Sequence, residues 1–443
     1  MVRNVLGIRA ETKNRWERRA PLAPGHVSQL VAAHGVRVLI EPSPLRVFPL
    51  EEYVAAGAEP ARDLSECSVI LGVKEIPVGA LLAGRTYLYF AHVIKGQPEN
   101  MPALARHLEL GNTLVDYERV TDAQGRRLIF FSRHAGYAGA IDGLWALGQR
   151  LAGEGIHTPL SDVRRAFAYS NLDEALRHLT EIGNRIRRFG LPEGLAPLVL
   201  GVMGGGSVAQ GVWEVISRLP LERVEPEELE ELSADGDRPR NLVYAVTFRR
   251  PHRLARADGG FDPGELEAHP ERYRSIMDRW LPHLTLLFNA VYWEPGQPRL
   301  VTREHLRALV AGGQPRLRVI ADITCDVNGS IEATVRATDP GNPVFTYDPL
   351  TGEAPDGVEG RGVVILAVDN LPCELPAEAT RHFGDQLVRF LPAVARCDWT
   401  APLEGLDLPG EILRAVIVHR GELTPAYLHL EEPLARFGKA GGP

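Results

Sequence analysis

Lysine is nearly absent. Only Lys13, Lys74, Lys95 and Lys439 occur, against 45 arginines. A coding bias toward arginine accounts for the excess, so a retained lysine points to a property arginine lacks: a compact amine whose pKa falls on burial. Lys74, in the apolar run Val-Ile-Leu-Gly-Val-Lys-Glu, suits that property. Cysteine is as scarce. Cys67, Cys325, Cys373 and Cys397 show no CxxC spacing, which argues against a disulfide framework or a zinc site and for a reducing compartment. Apolar runs of about 18 residues are missing. The opening MVRNVLGIRAETKNRWERR has no apolar core of a leader, so neither secretion nor membrane insertion is expected, and a cytoplasmic location is. Basic charge is not in excess either: 49 Lys plus Arg stand against 57 Asp plus Glu, a formal net charge of −8. Nucleic acid and anionic membranes are therefore poor partners.

What is present is ordinary for a soluble globular protein, with 44% hydrophobic and 24% charged residues. The 443 residues exceed what one core usually holds, so two domains are expected. Val5–Ile8, 36–40, 69–73, 86–90 and 113–115 read as short strands separated by helical patterns, among them a helix over 23–33 entered at Pro24. Such alternation predicts a largely parallel sheet covered on both faces. Further on, 138–151 has helical spacing and 161–189 is a charged amphipathic stretch. Strands are expected at 197–203, 242–248, 284–291, 317–323 and 362–368. The acidic segment 222–237 reads as a solvated helix and loop and 249–271 as a loop, while 378–391 and 411–416 look helical. No internal repeat or low-complexity segment is visible.

The strongest local signal is the strand–turn–helix around Gly204-Gly205-Gly206-Ser207-Val208-Ala209, a G-x-G-x-x-A pattern on Gly204, Gly206 and Ala209. Small residues there allow a tight turn, close approach of a pyrophosphate, and access of an anion to a helix N-terminus. An acidic residue about 20 positions on would hold the adenosine ribose. Glu225 falls near that distance and suggests NAD, whereas Arg249, Arg250 and Arg253 suit a 2′-phosphate, so the residues leave both cofactors open. A second set, Arg19, Lys74, Glu75, His92, Glu118 and Arg127, follows or flanks the N-terminal strands, where ligands of open α/β sheets gather. Arginines there would bind carboxylates, and a shifted lysine or a histidine would serve as acid or base. A third set, Asp322, Asp326, Asn328 and Glu332 in VIADITCDVNGSIE, could touch a nicotinamide, a ribose or a substrate amine, or merely cap a helix. Asp369 and Asn370 stand in the loop VDNLPCELP.

GIRAETKNRWERRAPLAP, GVKEIP, FAHVIKGQPENMP, DYERVTDAQGRRL, AGYAGAIDGLWALGQRL, GGFDPGELEAHPERY, DITCDVNGSIE and VDNLPCELPAEATRHFGD together resemble the lysine–2-oxoglutarate reductase domain, the saccharopine-forming half of α-aminoadipic semialdehyde synthases. Similarity to fungal saccharopine dehydrogenase and to alanine dehydrogenase is more distant. The resemblance implies two Rossmann-like, doubly wound α/β domains with a cleft between them. Residues 1–141 with 372–443 would form the substrate domain and 142–371 the dinucleotide domain. It implies NADPH-dependent condensation of L-lysine with 2-oxoglutarate to saccharopine, with Lys74 and His92 as the acid/base pair. Arg19 and Arg127 would bind carboxylates, with Glu75 and Glu118 tuning the pair. The cofactor would meet Gly204, Gly206, Ser207, Val208, Ala209, Asp322, Asp326, Asp369 and Asn370, with Arg250 on the phosphate and Glu225 set aside. The saccharopine-oxidising half has no counterpart in these 443 residues, so either a separate enzyme takes saccharopine onward or the substrate differs from the family's. A homo-oligomer is compatible with the sequence. Two other readings remain: an amino-acid dehydrogenase or opine synthase of the same fold, and a non-catalytic lysine or nucleotide sensor.

Overall fold

The computed structural model describes residues 4–234, 238–311, 313 and 315–440, with 439 and 440 described by their place in a helix only. The chain divides into two compact units. Unit 1 runs up to Phe131 and resumes at Pro376; unit 2 runs from Ser132 to Leu375. The sequence-based boundaries at 141/142 and 371/372 fall inside the helix Ser132–Gly153 and the turn Leu371–Glu374.

In unit 1, β1 (Val5–Ile8), β2 (Arg37–Ile40), β3 (Glu59–Pro60), β4 (Val69–Leu71), β5 (Thr86–Tyr89) and β6 (Thr113–Asp116) are parallel. Their order across the sheet is β3-β2-β1-β4-β5-β6. The inner strands are short aliphatic and aromatic runs buried on both faces, the composition a covered parallel sheet requires. One continuous core surrounds them.

Unit 2 holds a seven-stranded sheet. Its members are β7 (Val199–Met203), β8 (Leu221–Val224), β9 (Val243–Phe248), β12 (Leu286–Asn289), β13 (Val319–Asp322), β14 (Val344–Tyr347) and β15 (Val363–Leu366). The antiparallel ribbon of β10 (Leu254–Arg256) and β11 (Tyr273–Ser275) stands apart. The sheet order is β8-β9-β7-β12-β13-β15-β14, with only β14 antiparallel. Alternate residues of one strand enter different cores, as a pleated strand demands. Leu200 and Val202 of β7 join one cluster, and Val199 and Met203 join the other. The chain then closes unit 1 with β16 (Val416–His419), antiparallel to β6, and β17 (Glu422–Leu423). Both sheets thus carry an antiparallel edge on a parallel frame.

Three expectations need correction. The acidic segment expected as helix and loop opens with edge strand β8, whose Glu222 and Arg223 are exposed. It continues into the helix Leu229–Ala234, which buries Leu229 and Leu232; residues 235–237 lie outside the described residues. The stretch expected as a loop over 249–271 contains the helices Arg250–Arg253 and Pro263–Ala268 and strand β10. The helix expected over 411–416 is one short turn, Gly410–Leu413, after which Val416 starts a strand. All three involve elements too short, or too charged at a sheet edge, for periodicity to resolve.

The helix Ser132–Gly153 meets the helix Ser207–Ile216 backbone to backbone. A Cβ on Gly136 would lie 2.1 Å from the Val208 carbonyl oxygen, and one on Gly211 would lie 2.3 Å from that of Arg133. Gly136→Ala is expected to destabilise unit 2 by about 1–3 kcal/mol, the usual cost of overpacking. Urea titration against Gly25→Ala, where nothing lies within 4 Å, checks this; equal midpoints would disprove the close approach.

Candidate active site

In doubly wound sheets, ligands gather at the carboxyl ends of strands where the strand order reverses. In unit 1 that reversal falls between β1 and β4. The chain leaves β1 through residues 9–19 and β4 through residues 72–75, so these two segments face the same crevice. β5 and β6 contribute the segments that hold His92 and Glu118.

Lys74 follows β4. Its side chain is largely enclosed and takes part in no ion pair among the described residues. Burial lowers the ammonium pKa from its ordinary value, and Arg19 and Lys13 nearby lower it further. The neighbouring Glu75 is the local hub. Its Oε1 lies 2.5 Å from His92 Nδ1, and its Oε2 lies 3.3 Å from Lys13 Nζ. Burial acts to raise the Glu75 carboxyl, but the His92 bond and the charges of His92, Lys74 and Lys13 outweigh it and hold the group below the ordinary carboxylate range. His92 sits at φ +50°, a backbone conformation few non-glycine residues adopt. Its carbonyl accepts from Asn100 Nδ2 at 2.9 Å, and its ring stacks on Phe90. With Nδ1 on a carboxylate, Nε2 is the nitrogen left for proton exchange.

The two arginines are held differently. Arg19 is buried, its Nε and Nη2 donate to the Glu17 carboxylate at 2.8 and 2.6 Å, and its guanidinium lies 4.3 Å from the Phe131 ring centre. Arg127 is more than half exposed and pairs with Glu118 at 3.0 Å. Asp116, the last residue of β6, links the groups. Burial and the Glu118 charge raise its carboxyl to about 7, against the Glu118 N–H it accepts and the pull of His92 and Arg127. The structure therefore brings all six predicted residues to adjoining strand ends. It adds Glu11, Lys13, Glu17 and Asp116. Of these only Lys13 had a signal in the sequence, the scarcity of lysine.

In unit 2, Gly204 sits at φ +114°, where its amide donates to Phe248 O and a Cβ would lie 2.6 Å from Ala290 O. Only glycine meets both demands. A Cβ on Gly205 or Gly206 would meet nothing within 4 Å, so this face of the turn is open. Gly206 starts the helix Ser207–Ile216 without a side-chain cap, leaving first-turn N–H groups for an anion. Ser207 and Val208 are half-buried at that end, and Ala209 packs inward. These features fit a dinucleotide pyrophosphate. Glu225 follows β8, at the sheet edge, and β9 lies between it and β7. Arg249 and Arg250 follow β9, which adjoins β7 with Phe248 level with Met203. Both are exposed, whereas Arg253 is buried.

Asp322 is among the residues expected to meet the cofactor. It is buried, and its oxygens accept from Asn289 Nδ2, Thr324 Oγ1 and Thr334 Oγ1 at 2.8, 2.8 and 2.5 Å. That network braces the loop after β13 and occupies the carboxylate. Asn328 and Glu332 are likewise engaged, with Arg303 Nη2 and the Arg303 amide. Asp326 and Asp369 are exposed and Asn370 is buried, at the carboxyl ends of β13 and β15. Among the described residues no three His, Cys, Asp or Glu side chains gather as a metal site would need. Among the described residues no helix is long and apolar enough to cross a membrane.

Residues 7–138 match the alanine dehydrogenase/PNT N-terminal domain, and residues 294–426 match the C-terminal domain of the same proteins. The mitochondrial α-aminoadipic semialdehyde synthase of Bos taurus is 38% identical over 97% of this chain and 48% of its own length. The chain thus spans about half the length of that relative. A saccharopine dehydrogenase [NAD(+), L-lysine-forming] of Yarrowia lipolytica is 27% identical, covering 90% of this chain and 94% of its own. Among solved structures, an L-alanine dehydrogenase superimposes with a TM-score of 0.63 at 21% identity, covering 97% of this chain and 99% of that one. With the N-terminal and C-terminal domain models both matched, in that order along the chain, the chain belongs to the alanine dehydrogenase/PNT family.

Proposed function

We propose that the protein catalyses the NADPH-dependent reductive condensation of L-lysine with 2-oxoglutarate to saccharopine. The observation that carries this reading is the largely enclosed Lys74 amine, its pKa lowered, beside the His92–Glu75 pair, in a chain similar over almost its full length to the first half of α-aminoadipic semialdehyde synthase. The substrate ε-amine must lose a proton before it attacks the keto carbon. The resulting carbinolamine must gain one to release water. Lys74, with its lowered pKa, takes the first proton; His92 Nε2 supplies the second, with Glu75 holding its Nδ1. The substrates carry three carboxylates in total, and Arg19 and Arg127 bind them in competition with Glu17 and Glu118.

Gly204, Gly206, Ser207, Val208 and Ala209 hold the pyrophosphate in this reading, and Asp326, Asp369 and Asn370 meet the nicotinamide side. A bound nicotinamide cofactor supplies the hydride that reduces the imine. NADPH is preferred over NADH because Arg250 follows the strand next to β7 and its ion pair with Glu267, at 3.4 Å, joins two exposed side chains and is weak enough to exchange for a phosphate. A separate saccharopine-oxidising enzyme is the proposed consumer of the product. A reducing cytoplasm is the proposed location, in keeping with four cysteines that form no disulfide.

Initial rates of NADPH consumption with L-lysine and 2-oxoglutarate, NADH in parallel and saccharopine identified as product, test the reaction. Turnover with ammonia and pyruvate alone would point to an amino-acid dehydrogenase instead. Binding of lysine and cofactor without turnover would point to a sensor. Lys74→Met and His92→Gln are each expected to lower kcat by about 10²-fold or more; an unchanged kcat removes that residue from the proton transfers. Arg250→Ala is expected to raise the KM for NADPH about 10-fold or more, the scale of one charge-assisted contact, with little change for NADH. Equal losses would show that this arginine does not read the 2′-phosphate.

A further inference from the structure

Glu11 is a buried carboxylate that none of the steps above uses. It stands just past β1, and it reaches across to the chain leaving β4. Its Oε1 accepts the Val73 amide at 2.7 Å and its Oε2 accepts the Lys74 amide at 3.0 Å. A Cβ on Gly72 would come within 3.5 Å of Oε1, so the residue before this turn is small where the carboxylate passes. One carboxylate therefore holds two consecutive amides, the second belonging to the residue that carries the amine. This is a fork only the ionised form can make. In the acid form one oxygen becomes an O–H, a donor facing an N–H, and one of the two bonds is lost.

We propose that Glu11 is a positioning residue: its ionised carboxylate clamps the backbone of Val73 and Lys74, fixes where the Lys74 amine stands, and releases that turn when protonated. The surroundings make protonation accessible. Burial raises the Glu11 carboxyl to about 7, with Glu17 adding to the rise and Arg9 and the two amides opposing it. The other charged or titratable groups facing it are Arg46 from the chain after β2 and Tyr117 from the chain after β6. The sign follows directly. Above about pH 7 the carboxylate is ionised and the clamp is closed; below that, the acid form accumulates and the clamp opens. The consequence for turnover rests on the acid/base role proposed for Lys74. The clamp itself does not.

Amide hydrogen exchange at Val73 and Lys74, measured on the full chain from pH 5.5 to 8.5 and corrected for intrinsic exchange, tests the clamp without any reaction. The expected result is protection that rises about 10-fold or more with pH, midpoint near 7, as a bond to a charged acceptor is gained. Glu11→Gln, which can accept one amide but opposes the other with its NH2, should show low protection that does not change with pH. Flat protection in the wild-type protein would overturn the proposal even if the variant failed to fold. Wild-type protection retained in Glu11→Gln would overturn it as well. For turnover, Glu11→Gln should lower kcat on the order of 10²-fold, the scale of a misplaced catalytic group, and abolish an acidic limb near pH 7 while leaving the KM for NADPH unchanged. Unchanged kcat with an opened clamp would show that Glu11 does not position Lys74. If the wild-type protein consumes no NADPH with lysine and 2-oxoglutarate, the proposed reaction fails, and the exchange profile still decides the role of Glu11.

Discussion

A positive charge kept from water, with other cations close by, governs the chemistry of unit 1. Lys74 is enclosed, and the nearest charges of its own sign, Arg19 and Lys13, work with burial against its ammonium form. Such a group would be expelled or neutralised unless anions stood near. Glu75 and Glu17 are those anions, and each is already committed, Glu75 to His92 and Lys13 and Glu17 to Arg19. The result is an alternation of charge in which no carboxylate belongs wholly to Lys74. Burial and the neighbouring cations therefore leave the Lys74 ammonium less stable than that of a solvated lysine, with its pKa lowered from the ordinary value.

That balance depends on topology. β1 and β4 are neighbours although 60 residues, 9–68, separate them in the chain. Their parallel pairing sends both chain ends out at one edge of the sheet. Lys13, Glu17 and Arg19 come from the first end, and Lys74 and Glu75 from the second. In unit 2 the same geometry gives a different product. Gly204 is fitted between the ends of β9 and β12, and the open face of the turn is bounded by an uncapped helix start. There the polar groups are backbone amides, which suit a phosphate and carry no titration of their own.

Most of the frame was legible in the sequence. Aliphatic runs a few residues long, bounded by glycine, proline or charge, marked β1, β2, β4, β5, β6, β7, β9, β12, β13 and β15, because a strand buried on both faces must be apolar throughout. Of the strands not marked, β8 is charged and half exposed at a sheet edge, β3 and β17 are two residues long, and β10 and β11 form a separate ribbon, so their apolar signal is thin; β14 and β16 are buried runs of four residues that were not marked. Counting forward from the glycine turn leads to Glu225, one strand too far out. The chain visits the edge as β8 before returning as β9, and linear spacing does not record that detour.

Composition and local pattern by themselves determined the α/β class, the glycine turn and the candidates Lys74 and His92, since each is a property of a short segment or of a residue count. Tertiary structure alone decided who partners whom. Glu11 against the amides of Val73 and Lys74, Glu17 on Arg19, Asp322 enclosed by Asn289, Thr324 and Thr334, and Arg250 beyond the strand adjoining β7 are all outcomes of strand order. The physical reason is that hydrogen bonds and charge interactions act over a few ångströms in space, and the distance along the chain between their partners has no bearing on their strength once the sheet has brought them together.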